Sequence, residues 1–242
     1  MLCIPSVLQR ACEGNCLGMY AKCFKRMIDF ILALTALTVL FVPLVILTVL
    51  GAVKMKGNPF FTQPRPGKGE KVFRLIKFRT MTNEKGPDGK LLPDEQRITG
   101  YGRFLRSTSL DELPELLNIL LGHMAIIGPR PQLVRDMVFM TPEQRKRHSV
   151  RPGLSGLAQV SGRNALKWEN KLALDLEYIR NISFRRDCGI ILRTLKIVIG
   201  RGETPTELAV TADYGDYLLE QGKIDADTYA RKQEEAKELL GV

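Results

Sequence analysis

Histidine is nearly missing from this chain: His123 and His148 are the only two in 242 residues. Cysteine is sparse and odd in number. Five occur; Cys3, Cys12, Cys16 and Cys23 crowd the N-terminus and Cys188 stands alone. Neither histidine lies near that cluster, and the two-pair spacing of a structural zinc site is absent, so reduced thiols are preferred over a metal site. There is no internal repeat and no low-complexity tract, which leaves one domain, or one domain with an attachment. No glycine motif has dinucleotide or P-loop spacing. No helix-turn-helix, finger or aromatic RNA-binding pattern is present, so no nucleic-acid partner is expected. No small-residue cleavage pattern follows the one long apolar run, which argues against a cleaved signal peptide.

What the chain does have is positive charge, unevenly placed. The net charge is +10, but residues 203–242 hold ten acids and four bases, leaving 32 bases and 16 acids for the rest. A body this basic suits polyanions: nucleic acid, anionic headgroups or phosphorylated substrates.

Residues Phe30 to Val53 form an uncharged run of 24 residues, long enough to cross a bilayer as a helix. Two features oppose a simple crossing. Pro43 sits near the middle and breaks a helix ladder. Both flanks are basic, with Lys22, Lys25 and Arg26 before and Lys54 and Lys56 after, which favours the cytoplasmic side at both ends. A re-entrant helix bent at Val42–Pro43 and a kinked crossing helix fit the sequence equally well. Residues 1–18 read as an extension without an assigned role.

Beyond the run, residues 58–71 are rich in turn formers, and 71–81 (KVFRLIKFRTM) alternate as a strand or hairpin does. Residues 83–97 form a polar loop expected to be mobile. The leucines of Leu110 to Leu121 predict a helix that begins near Asp111, because proline (Pro114) is tolerated only in a first turn. Ser109 and Glu112 have capping-box spacing, and on spacing alone the Asp111–Glu112 pair reads as a helix cap. Arg103 and Arg106 precede the pair; Arg130 follows between two prolines; a glycine-bearing loop, 153–164, ends at Arg163. Arginine forks and glycine backbones both suit phosphate. A helix from Trp168 has Leu172, Leu176 and Ile179 on its apolar face, with Asp175 at the edge. Residues 187–200 predict a helix suited to a membrane surface or a core. A late helix is expected from about Asp227 to Leu240.

The ordered blocks KRMIDF, NPFFTQ, KFRTM, RSTSLDELPELLNIL, GPRP, RPGLSGLAQVSGRN and LDLEYI carry a resemblance over Met19 to Gly202. The chain resembles the bacterial sugar transferases, the small monotopic phosphoglycosyl transferases. The resemblance implies an α+β, mainly helical fold. Its parts are a re-entrant membrane helix (19–57), a catalytic domain with a minor β-hairpin (58–202) and an acidic C-terminal appendage (203–242).

The implied reaction moves a sugar 1-phosphate from a UDP-sugar to undecaprenyl phosphate through a phosphosugar–aspartate intermediate, with Mg2+ and release of UMP. This would take place on the cytoplasmic face of the bacterial inner membrane, among its phospholipids, and would start a surface glycan. A homo-oligomer is compatible with this reading. The resemblance makes Asp111 the nucleophile and metal contact, with Glu112 as its partner. It places Lys77, Arg79, Arg106, Arg130, Arg163 and Asp175 about the substrate. A positive field there is expected to hold Asp111 ionised. One departure is Val42, where the family commonly has serine before Pro43. Another is the stretch QPRPGKGEK. Sugar selection is expected from the 83–97 and 151–164 loops.

Overall fold

The apolar run folds as two helices rather than one. The computed structural model describes residues 19–162, 166–200 and 212–241. A π-helical turn at Tyr20–Phe24 leads into α1 (Lys25–Val39), and α2 (Phe41–Lys54) leaves it at 67°. The turn residue is Leu40, with φ −90° and ψ 9°. Val42 and Pro43 lie just beyond, in the first turn of α2. A proline ring clashes with the carbonyl four residues earlier. For Pro43 that carbonyl belongs to Val39, so the bend appears upstream of the proline itself. The ladder survives on both sides, with Leu40 N–H donating to Ala36 O and Leu44 N–H to Leu40 O. No single helix among the described residues is long and apolar enough to cross a membrane; the bent pair is so by length and composition. Its outer face keeps Phe41, Val42, Val45, Val49 and Val53 exposed.

The base of α1 is fastened to the rest of the protein. Arg26 donates to Ile119 O and Leu120 O at 2.5 and 2.8 Å. Asp29 accepts from Ile126 N–H at 3.0 Å. Asp187 accepts from Lys25 (2.6 Å), Tyr20 (2.8 Å) and Tyr178 (2.7 Å). Buried charges persist where paired and hydrogen-bonded in this way. Ala33 of α1 joins Phe73, Leu75, Leu116, Ile119 and Met124 in one apolar cluster. The bent helix pair and the body of the protein therefore share one apolar cluster.

Strands β1 (Phe60–Pro66) and β2 (Val72–Phe78) form the expected hairpin, with Phe60 opposite Phe78 and Pro66 opposite Val72. The stretch read as turns at 58–71 is thus half strand. Its prolines misled because they mark turns in general yet are accepted on an edge strand. A second, parallel pair joins β3 (Ala125–Ile127) to β4 (Gly153–Ser155). Here the glycines serve packing. A Cβ on Gly153 would lie 2.1 Å from Gly128 N, and one on Gly156 would lie 2.2 Å from Gly128 O. Two backbones touch at that point, so Gly153 and Gly156 are committed to the fold rather than to a phosphate.

The remaining helices are α3 (Asp94–Arg97), α4 (Gly100–Thr108), α5 (Glu115–Leu120), α6 (Val134–Met137), α7 (Pro142–Arg145), α8 (Leu157–Ser161), α9 (Trp168–Arg180), α10 (Phe184–Ile199), α11 (Tyr214–Glu220) and α12 (Ala226–Leu240). The class is as expected, mostly helical with a minor sheet. The 83–97 loop folds back on itself through Gly86 N–H to Lys90 O and Leu92 N–H to Glu84 O, and Arg97 donates to Leu92 O and Thr82 O. In helix α10, Ile190 enters a core cluster, while Leu192, Leu195 and Ile199 stay exposed. In the acidic stretch, α11 packs Tyr214 and Leu218 against Trp168, Leu172 and Met140, and α12 matches the late helix.

Candidate active site

The acids Asp111 and Glu112 do not open a helix. Ser109 adopts left-handed backbone (φ 51°) at the end of α4, and its side chain caps nothing. Leu110–Glu112 form one 3-10 turn, and α5 begins only after Pro114. The capping box read from the spacing is therefore not formed, since its serine is used to end one helix instead of starting another. A helix dipole is accordingly a lesser source of positive field here than the surrounding side chains.

Those side chains converge on Glu112. Lys77, from β2, donates to Glu112 Oε1 at 2.8 Å, and Arg130 donates to the same oxygen at 2.7 Å. Lys77 also lies 3.1 Å from Glu115 Oε1. Strand β2 is locked to α5 by Asn118, whose Oδ1 accepts from Ile76 N–H and whose Nδ2 donates to Arg74 O. One buried amide thereby fixes where Lys77 stands relative to the acids.

The Asp111 carboxylate is different. Among the described residues it takes part in no hydrogen bond or ion pair. Its charged surroundings are Lys77, Glu112, Arg130 and Arg106. Burial pushes its pKa above the usual carboxylate range; Glu112 adds to this, and Lys77, Arg130 and Arg106 oppose it. This corrects the expected depression, because desolvation outweighs the cations. The depression falls on Glu112. Burial opposes its ionisation, but Arg130 and Lys77 together outweigh burial and hold it well below the usual range.

Glu115 is the third acid, 3% exposed in its side chain. Burial raises its pKa to about 7, with Lys77 opposing and Glu112 reinforcing. In the unfolded chain a glutamate titrates near 4.3. Between those values the unfolded state has released its proton and the native state holds it, so stability falls as pH rises from about 4.3 to 7 and levels off above. Glu115→Gln removes this contribution. Melting temperatures of wild type and variant across that window should diverge progressively with pH; parallel curves would refute the assignment.

The other expected residues divide. Arg106 is held at the site, donating to Thr80 Oγ1 at 3.1 Å. Arg79 follows β2 and is half-buried, and its backbone N–H donates to Pro59 O. Arg163 lies outside the described residues. Asp175 is buried in an ion pair rather than facing solvent. It is 3% exposed and receives Arg147 Nε at 3.0 Å and Nη2 at 2.6 Å. Arg147 Nη2 also donates to the Arg130 carbonyl at 2.7 Å. Asp175 thus supports Arg130 from beneath. Sequence reasoning passed over Arg147, Glu115 and Asn118. Glu115 and Asn118 lie one helical turn apart on α5, which follows the dyad's 3-10 turn directly, and that was the available signal.

Comparison with known proteins gives the family. A family model described as bacterial sugar transferase matches residues 20–201. The chain is 45% identical over 197 residues to the uncharacterized sugar transferase EpsL of Bacillus subtilis, covering 78% of this chain and 94% of that one. It is 40% identical over 183 residues to the UDP-glucose:undecaprenyl-phosphate glucose-1-phosphate transferase of Caulobacter vibrioides (71% and 68% covered). It is 34% identical over 199 residues to the UDP-galactose-lipid carrier transferase of Erwinia amylovora (75% and 41% covered).

Proposed function

Because the chain belongs to the bacterial sugar transferase family, we propose that it moves a sugar 1-phosphate from a UDP-sugar to undecaprenyl phosphate, with Asp111 as covalent nucleophile. The observation that carries the choice of acid is the contrast within the dyad. Glu112 is held by two cations, while the Asp111 oxygens have no hydrogen-bond or ion-pair partner among the described residues. A nucleophile needs an uncommitted lone pair.

In the first step an Asp111 oxygen attacks the β-phosphorus of the UDP-sugar. The bond from that phosphorus to the bridging oxygen breaks, and UMP leaves with the electron pair. A phosphosugar–aspartyl anhydride remains. In the second step a phosphate oxygen of the lipid attacks the same phosphorus, and the Asp111 carboxylate departs. Only ionised Asp111 can attack, and its raised pKa makes that form more basic. Arg130 and Arg106 face the charge that gathers on the phosphoryl oxygens. Glu112 keeps Lys77 and Arg130 in place. Magnesium takes one or two carboxylates together with substrate phosphates, which the free Asp111 carboxylate suits, and there it would neutralise phosphate charge.

The test is a screen for UMP release across UDP-sugars with magnesium and undecaprenyl phosphate. Release with at least one sugar is expected. Binding of UDP-sugar with no release would make the protein a scaffold and end the proposal.

The bent pair α1–α2 is read as re-entrant in the cytoplasmic leaflet of the inner membrane, surrounded by phospholipid. Lys25 and Lys56 are then on one side. Cysteines placed at both positions should label together from the cytoplasm; labelling from opposite sides would refute re-entry.

A further inference from the structure

Arg65 is a half-buried arginine that the chemistry above leaves unused. It sits on β1, and its guanidinium is aimed by two neutral acceptors. Nη2 donates to Gln63 Oε1 at 2.8 Å, and Nη1 donates to Pro131 O at 3.3 Å. Pro131 follows Arg130 directly, so Arg65 is docked on the loop that carries the dyad's arginine. Its Nε is buried and has no partner. It forms no ion pair with a carboxylate among the described residues. Neutral acceptors orient a guanidinium without cancelling its charge.

The largest charge effect on it comes from a group of the same sign, Arg130. Burial and Arg130 lower its pKa, Asp136 and Glu115 oppose them from beyond ion-pair distance, and the result is about 10, so Arg65 stays charged at neutral pH. A charge taken out of water without a paired carboxylate costs stability. Such placements mark functional sites. Arg130 acts electrostatically on both Asp111 and Arg65, and its own side chain is 42% exposed. Two cations therefore stand at this loop: Arg130, which acts on the Asp111 carboxylate, and Arg65, docked on the same loop through Pro131 O. A single phosphate needs only the first. Two linked phosphates use both.

We propose that Arg65 and Arg130 form a two-guanidinium receptor for the diphosphate of the nucleotide-sugar, with Arg65 taking the phosphate that departs with the nucleoside. This rests on the UDP-sugar reading. Arginine suits the task because its fork matches phosphate oxygens.

The experiment uses the full chain in lipid nanodiscs, inorganic pyrophosphate as probe, and the variants R65M and R65K. Thermal melting reports both stability and binding, because a ligand that binds only the native state raises the melting temperature. Without ligand, R65M should melt at or above wild type, since it removes a half-buried charge that no carboxylate of the described residues pairs. Pyrophosphate should then bind R65M about tenfold or more weaker than wild type, with R65K between, as expected for loss of a charge-assisted fork. Pyrophosphate affinity equal to wild type in R65M would overturn the proposal. So would failure of R65M to fold, which would make Arg65 structural. UDP-sugar turnover is measured in parallel. If wild type turns over no UDP-sugar but binds pyrophosphate through Arg65, the anion receptor stands and the transferase reading falls. Unchanged KM and pyrophosphate binding in R65M, with turnover intact, would be the reverse.

Discussion

Asp111→Asn lowers UMP release by about three orders of magnitude or more, about 4 kcal/mol of lost transition-state stabilisation, and leaves the fold and UDP-sugar binding in place. The fold half of this expectation comes from the structure: no hydrogen bond or ion pair of the described residues depends on the Asp111 carboxylate, so its replacement strands no partner. Glu112→Gln behaves differently. It weakens a site shared by Lys77 and Arg130 at 2.8 and 2.7 Å and leaves both cations short of their counter-charge. Its loss should appear in geometry and pH dependence as well as in rate. The comparison is a UMP-release assay on both variants beside UDP-sugar titration. Near-wild-type release from Asp111→Asn would remove the nucleophile from the account.

The second large effect is on stability. Arg147→Met leaves Asp175 buried without its partner, and breaking one side of a buried ion pair costs about 3–5 kcal/mol. For a chain of this size that is a drop on the order of 10 °C in melting temperature. Replacing both, Arg147→Met with Asp175→Leu, should recover most of the loss, because an apolar pair of similar volume removes both buried charges. The double variant should still turn over slowly, since the Arg130 carbonyl has lost its donor at 2.7 Å. Melting curves of the single and double variants decide this. A single variant as stable as wild type would mean that the pair is not the tie described.

These two cases also show where sequence reading reached and where it stopped. Local alternation placed Lys77 on a strand, and the ordered motifs brought Asp111, Glu112 and Arg130 together before any coordinates. The apolar run and its proline announced a bend, displaced in the structure to Leu40 because proline acts on the carbonyl four residues back. Asp175 was placed at the edge of an amphipathic helix, yet Trp168, Leu172, Asp175 and Tyr178 are its buried face. A buried acid is legible only with its partner, and that partner is 28 residues away on a different element. Ser109 looked like a cap because spacing carries no φ angle. Arg65 looked like part of a basic turn because its prolines hid a strand. The direction of the Asp111 pKa was missed for a similar reason: sequence displays the cations but not the desolvation that competes with them.

The central claim is a bond between Asp111 and the phosphosugar. Intact-protein and peptide mass spectrometry of enzyme quenched after UDP-sugar and magnesium, without polyprenyl phosphate, tests it directly. The account predicts one added phosphosugar, carried by the peptide containing Asp111 and discharged when undecaprenyl phosphate is supplied. UMP formed with no adduct, or an adduct carried by Glu112, would contradict it.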